Sequence, residues 1–155
     1  MQATPFIIEI KNKNIQIEVL GTQFNVTAYN DEPVIKTSLF KGKITIRAGD
    51  KTAMLSPMQE AQINGTALTI VDMNANSFAS AKAWKDGNFN FEGDLPFILR
   101  QIGRWYDIEI VIRSKQPGTA NYGGSLSRHT SMHDLLKILT LNNIQYRLEG
   151  RTLIL

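Results

Sequence analysis

The chain has 155 residues, of which 43% are hydrophobic and 20% charged, and 17 basic against 14 acidic residues give a net charge of +3. This length and composition are typical of one ordinary globular domain or two small ones. The absence of cysteine excludes disulfides, thiol nucleophiles and thiolate metal ligands. The sequence also lacks a basic cluster and an apolar run of about 18 residues, which argues against a nucleic-acid partner and a membrane-spanning helix.

Residues 1–72 are predicted to form an all-β sandwich, jelly-roll-like and incomplete at its front. Apolar and polar side chains alternate in short segments, and turn residues follow roughly every 8–12 positions. Lys41-Gly42 is predicted to turn one strand into the next, and Asn64-Gly65 to close a hairpin. Because the chain enters directly in the strand Phe6–Ile10, that strand is predicted to leave an open edge for self-association.

Gly21 interrupts an otherwise alternating segment. Glycine adopts backbone angles that a residue with a Cβ resists, so the sequence predicts a bulge or sharp bend at this position.

Residues 73–83 are predicted to be a linker with room for one short helix, and the domain boundary is placed near residue 80. Alanine, asparagine and serine replace the strand alternation there.

Residues 84–155 are predicted to form a small α+β domain with the element order βαββαββ. Asp94 is the expected N-cap of the first helix, with Pro96 in its first turn, and Thr130 or Ser131 caps the second. Strands are predicted at 88–91, 107–112, 125–127, 144–148 and 152–155, with a loop at 118–123 and a hairpin turn at Glu149-Gly150.

Few residues combine into a catalytic or metal site. His129 and His133 are four apart, a spacing that can bind metal on a helix, but His129 precedes the predicted helix start and no third ligand accompanies them. Neither a nucleophile elbow nor a phosphate-binding loop is present. No metal, no cofactor and no enzyme activity on a separate substrate are therefore expected.

Several motifs resemble a known family. The segments are VLGTQFNVTAY (19–29), TSLFKGKITI (37–46), LSPMQEA (55–61), WKDGNFNF (84–91) and IGRWYDI (102–108). The first three resemble the FecR domain of FecR-type anti-sigma factors, and the last two resemble the domain that follows it in Bacteroidetes members. One departure is Met58, where glycine is commoner in the family.

The resemblance implies the periplasmic part of a single-pass inner-membrane protein whose membrane helix and cytoplasmic segment are not in this chain. In such proteins, the N-terminal signalling domain of an outer-membrane TonB-dependent transporter, often SusC-like, passes on ligand occupancy. The FecR-type protein then controls an extracytoplasmic-function sigma factor through its cytoplasmic segment. The C-terminal half is similar in layout to the signalling domains of those transporters and of secretins.

A sheet with open edges can accept a strand from a partner, so the segments Asp107–Ile112 and Ile144–Leu155 are predicted to contact the transporter domain. The predicted partner residues are Trp105, Tyr106, Ile108, Ile110, Ile144, Tyr146 and Leu148.

Two further hypotheses concern residues 1–72. Some family members are similar to self-cleaving proteins, which implies that the Thr22 hydroxyl could attack the Gly21 carbonyl. The alternative to a signalling module is a glycan- or ligand-binding β-sandwich, for which Phe6, Phe24, Tyr29 and Phe40 supply the aromatic side chains. Strand alternation places most of these four inward.

Overall fold

The structure is a computed structural model that describes residues 4–113 and 120–155. The chain divides into two compact units, residues 1–82 and 83–155. The architecture is mixed β and α+β, as the sequence predicts.

The N-terminal unit consists of one antiparallel sheet and one helix. The elements are β1 (Phe6–Ile10), β2 (Ile15–Thr27), β3 (Ile35–Ala48), β4 (Lys51–Leu55), β5 (Gln59–Asn64), β6 (Ala67–Asp72) and α1 (Ala75–Ala83). The strand order is β1-β2-β3-β5-β6, and β4 pairs with β3 as well. The segment predicted as a linker therefore contains the helix α1.

The two long strands β2 and β3 take part in both halves of the sheet. Their 15–20 and 43–48 portions pair with each other and with β1 and β4, whereas the 35–38 portion of β3 pairs with β5. Fully buried residues of both halves, such as Ile17, Ile46 and Leu39, belong to one hydrophobic core. Both halves of the sheet thus enclose a common core, as a sandwich requires.

The predicted turn at Lys41-Gly42 is wrong, because β3 runs through it without a break. The register pairs Leu20 with Lys43 and Gln23 with Lys41, so Gly21 and Thr22 face Gly42 alone. This confirms the bulge predicted at Gly21, whose φ is +58°.

A second register shift in β3 compensates the first. Phe24 pairs with Leu39, which leaves Phe40 as the extra residue and returns the two strands to their earlier register. The Phe40 ring meets the Phe78 ring of α1 edge-on, with centroids 5.2 Å apart. The second bulge therefore supplies the aromatic contact that holds the helix against the strand.

The hairpin predicted at Asn64-Gly65 is confirmed. β5 and β6 pair from Asn64↔Ala67 onward, and Gly65 takes the left-handed angle (φ +57°) that the tight turn requires.

The C-terminal unit follows the predicted βαββαββ order. After a 3-10 turn (Trp84–Asp86) come β7 (Asn88–Gly93), α2 (Leu95–Tyr106), β8 (Glu109–Val111), β9 (Tyr122–Ser127), α3 (Met132–Leu141), β10 (Arg147–Glu149) and β11 (Thr152–Ile154). β7 pairs with β9, and a second sheet has the order β10-β11-β8 with β8 and β11 parallel. Leu126 of β9 and Leu153 of β11 share one core with both helices.

Side chains fix the beginnings of both helices. The Asp94 carboxylate accepts a hydrogen bond from Phe97 N–H at 2.9 Å, as predicted, and Pro96 lies in the first turn. Ser131, rather than Thr130, caps α3: its Oγ accepts from Asp134 N–H at 3.1 Å and donates to the Asp134 carboxylate at 2.8 Å.

Three predicted boundaries in this unit are wrong. β8 begins at Glu109, because Asp107 ends α2 with a left-handed backbone (φ +52°). β10 begins only at Arg147. β9 already begins at Tyr122, within the predicted loop 118–123, and the first two residues of that loop lie outside the described residues.

Candidate functional site

The aromatic pair at the end of α2 is half-buried. The Trp105 ring packs against Phe89, with centroids 5.7 Å apart and planes tilted by 30°. The Tyr106 hydroxyl donates a 2.8 Å hydrogen bond to the Thr130 carbonyl. Burial raises the pKa of Tyr106, and the negative charge of Asp134 raises it further. The Tyr106 hydroxyl therefore ties α2 to the start of α3.

Ile110 lies directly beneath α2. A Cβ at Gly103 would approach the Ile110 Cγ1 and the Ile108 carbonyl oxygen to 3.0 Å, so only glycine lets the helix pack this closely. Ile110 and Leu148 flank the fully buried Leu153 in register on the two neighbouring strands. The structure thus brings these two predicted partner residues onto one face of the sheet.

The seven predicted partner residues differ in how exposed they are. Leu148, at 39% exposure, is the exposed one, while Trp105 and five others are partly buried. All of those five pack against the C-terminal core: Tyr106, Ile108, Ile110, Ile144 and Tyr146. Their assignment to a partner surface stays a prediction.

The connection between α2 and β8 is held to the β10–β11 turn. The Arg151 guanidinium donates to the Asp107 carbonyl through Nε (3.2 Å) and Nη2 (2.6 Å), and it also bonds the Asp107 carboxylate. Both side chains are largely exposed, so solvent screens the charge attraction and the contact acts mainly through geometry. The sequence analysis missed this pair, since nothing local relates two residues so far apart in the chain.

The hydrogen-bond pattern determines which groups of β8 remain available. Three bonds of 2.7–2.9 Å join β8 and its extension to β11, from Glu109 N–H to Arg151 O, from Leu155 N–H to Val111 O and from Arg113 N–H to Leu155 O. In β8 and its extension, these hydrogen bonds to β11 involve only the odd-numbered residues. The intervening residues Ile110 and Ile112 direct their N–H and C=O groups to the other side.

The Gly21-Thr22 site lies in the bulge between β2 and β3. Thr22 Oγ1 is buried and has no hydrogen-bond partner among the described residues. A Cβ at Gly42 would approach Thr22 Cγ2 to 2.6 Å and the Gly21 carbonyl oxygen to 3.2 Å. Gly42 thus lets the two strands approach closely around the Thr22 side chain. In the described part of the chain, no side chain hydrogen-bonds Thr22 Oγ1 as a general base would.

The two histidines occupy different local structures. His129 lies in the turn before α3, where its N–H donates to Ser127 Oγ at 3.2 Å, whereas His133 lies in the helix. Within residues 4–113 and 120–155, no three histidine, aspartate or glutamate side chains cluster as metal ligands. In the same ranges, no helix is both long and apolar enough to cross a membrane.

Two solved structures share the fold. They are crystal structures of a candidate anti-sigma factor from Parabacteroides distasonis, with TM-scores of 0.76 and 0.77 at 23% and 22% identity. The likeness covers 97% and 99% of this chain, and 70% and 71% of the solved chains. None of the curated proteins is similar enough to count as a relative.

The family match concerns the C-terminal unit. Residues 88–155 match the family model described as FecR, C-terminal. This part of the chain is therefore similar to FecR C-terminal domains, which confirms the family resemblance found in its sequence.

Proposed function

We propose that this chain is the periplasmic signal-receiving part of a transmembrane anti-sigma factor. Its partner is the N-terminal signalling domain of an outer-membrane TonB-dependent transporter of the SusC-like type. The protein relays ligand occupancy of that transporter to an extracytoplasmic-function sigma factor, which a cytoplasmic segment outside this chain contacts. The observation that carries this proposal is the FecR C-terminal match over residues 88–155.

The geometry of the C-terminal unit supports a role in protein–protein contact. Its two sheets have two and three strands, so several strand edges have no neighbour among the described residues and could pair with another chain. The net charge also favours a protein partner over a nucleic acid, because +3 over 155 residues is too small to attract nucleic acid strongly.

Calorimetry with the periplasmic N-terminal domain of the transporter encoded beside this protein tests the proposal. We expect saturable binding to that domain and none to the signalling domain of an unrelated transporter. A Leu141→Asp variant is the surface control, because Leu141 is 81% exposed and lies outside the predicted partner residues. Absence of binding to the cognate domain would contradict the proposed function.

The glycan-binding alternative is less well supported. Phe24 and Phe40 are partly buried, packed against the core and against Phe78 respectively. Phe6 and Tyr29 are 63% and 47% exposed, but Phe6 lies opposite the first part of β2 and Tyr29 follows its end. A sugar-stacking platform needs exposed aromatic rings side by side, and these two rings do not form one.

Cleavage at Gly21-Thr22 is a second candidate, favoured by the buried Thr22 hydroxyl that has no partner among the described residues. Thr22 Oγ would attack the Gly21 carbonyl carbon, its proton would pass to the Thr22 nitrogen as the peptide bond breaks, and water would hydrolyse the resulting ester. Denaturing mass spectrometry after long incubation should then find fragments 1–21 and 22–155, and Thr22→Ala should stay intact. A single intact mass for the unmodified chain, with and without hydroxylamine to trap the ester, would rule the reaction out.

A further inference from the structure

Within the described residues, no strand pairs with one edge of β8, which presents a row of outward backbone groups. Because Glu109, Val111 and Arg113 carry the hydrogen bonds to β11, the N–H and C=O groups of Ile110 and Ile112 point away from it. These four groups have no hydrogen-bond partner within residues 4–113 and 120–155. They repeat at every second residue, a spacing that only another extended backbone matches.

The opposite edge of the same sheet offers less. A two-residue turn joins Glu149 and Thr152, so these two residues form a hydrogen-bonded pair. Because hydrogen-bonded pairs alternate in an antiparallel ladder, Arg147 and Ile154 form the next one. Leu148 is then the one residue of β10 whose N–H and C=O face outward. An added strand would therefore meet the outward groups of Ile110 and, in the extension of β8, of Ile112, against those of Leu148 alone within β10.

We propose that an extended segment of the partner adds to the β8 edge and pairs with the backbone of Ile110 and Ile112. This inference rests on the proposed function and names the edge through which the C-terminal unit receives its partner. The added strand would become the fourth strand of the sheet, and its inner side chain would cover Ile112, which is 40% exposed.

Charges on the outer face specify the incoming segment. Glu109 and Arg113 are exposed and lie four positions apart on the same face of the edge. A complementary strand carries a basic residue opposite Glu109 and an acidic residue opposite Arg113, with apolar side chains on its inner face. The predicted partner segment is thus extended, alternating and of mixed charge.

Proline substitutions separate the two edges, because proline removes one N–H without removing the carbonyl. Ile112→Pro deletes an outward N–H of β8 and leaves the ladder to β11 intact, since Ile112 takes no part in it. Leu148→Pro is the matched change at the β10 edge. Ile112→Ala keeps the N–H and alters only the side chain, so it controls for lost side-chain contact.

The probe is the same cognate transporter domain, with affinity measured by calorimetry. We expect Ile112→Pro to weaken binding about 10-fold or more, because the partner's carbonyl loses its donor. Leu148→Pro and Ile112→Ala should each weaken binding much less than Ile112→Pro does. Unchanged affinity of Ile112→Pro would overturn the edge assignment and leave the proposed function standing. An equal loss in Ile112→Ala would show that the side chain, not the backbone, makes the contact, which also overturns strand pairing.

Hydrogen exchange on the unmodified chain provides a readout that does not depend on the variants. In the free protein, we expect the Ile110 and Ile112 amides to exchange faster than those of Glu109 and Val111, which lie in the ladder. Binding should slow Ile110 and Ile112 selectively. If the unmodified chain does not bind the transporter domain at all, the proposed function fails and this inference falls with it; if it binds without protecting these two amides, only the β8 assignment fails.

Discussion

The N-terminal and C-terminal units place their irregular backbone in different positions. In the N-terminal unit, the irregularities lie inside the two longest strands, where Gly21 and Gly42 face each other across the bulge. In the C-terminal unit, three strands have only three residues each, and the unpaired groups lie at sheet edges. A bulge inside a sheet shapes the local packing, whereas an open edge can accept a partner, and the proposed contact uses such an edge in the second unit.

The largest expected effect comes from Leu153→Ala, which tests whether the two units are stable independently. Leu153 is fully buried in the central strand of its sheet, so its truncation should cost the C-terminal unit about 2–5 kcal/mol. Native-state hydrogen exchange should show faster exchange in α2 and α3 but unchanged protection at Ile17, in the core of the other unit.

Leu148→Ala provides the control for that variant, because Leu148 lies next to Leu153 in register but is 39% exposed. Leu148→Ala should lower the free energy of unfolding of the C-terminal unit much less than Leu153→Ala does. Equal loss of protection in both units after Leu153→Ala would mean that they unfold as one cooperative block rather than independently.

The next effect tests the bulge. At Gly42, an alanine Cβ would meet Thr22 Cγ2 at 2.6 Å, and the backbone has φ +93°, so Gly42→Ala should destabilise the N-terminal unit by about 2–4 kcal/mol. Gly49→Ala is the matched control: it has φ +60° but open space around the added Cβ, and it should cost only about 1 kcal/mol in urea unfolding.

A second-site change sharpens this test. Thr22→Ser removes the methyl group that Gly42→Ala would meet, so the double variant should recover part of the lost stability. If Gly42→Ala costs no more than Gly49→Ala, close packing at the bulge does not contribute to stability.

The error at Lys41-Gly42 shows how far the sequence could have predicted the bulges. Inward-facing residues change from odd to even numbers between Val19 and Phe24, and again between Leu39 and Ile44. Such a five-residue step in an alternating pattern is typical of an extra residue inside a strand. A lysine and a glycine at that point also fit a turn, and only pairing with β2 decides between the two.

The C-terminal unit was predictable wherever the signal was local. The apolar stripe and the capping residues Asp94 and Ser131 set both helix starts, and the order of elements followed from them. The outward direction of the Ile110 and Ile112 backbone groups was not predictable. It depends on whether the odd- or the even-numbered residues of β8 hydrogen-bond with β11, and the local sequence does not determine this.

Asp94→Ala tests how much a single local signal contributes to the C-terminal unit. The Asp94 carboxylate satisfies the Phe97 N–H at the start of α2, so its loss should cost about 1 kcal/mol. Asp94→Asn keeps an acceptor oxygen and should cost less in the same thermal unfolding experiment. An equal cost for both variants would mean that the charge, rather than the hydrogen bond, stabilises the helix start.

The smallest expected effect is a gain in stability at Met58, in the N-terminal unit. Met58 has φ +70°, a left-handed conformation that glycine adopts without strain, and glycine is the residue that the family resemblance leads one to expect there. The backbone is held in place by hydrogen bonds from Met58 N–H to Leu39 O (3.0 Å) and from Met73 N–H to Met58 O (2.8 Å), so it cannot relax away from this angle.

Met58→Gly should therefore stabilise the N-terminal unit by about 0.5 kcal/mol. Relief of left-handed strain contributes about 1 kcal/mol, and the greater freedom of glycine in the unfolded chain offsets part of it. Met54→Gly is the control, because Met54 lies in the regular strand β4 with its side chain 65% exposed, and glycine there should destabilise. Destabilisation by Met58→Gly in urea unfolding would mean that packing of the Met58 side chain, which is 41% exposed, outweighs the backbone strain.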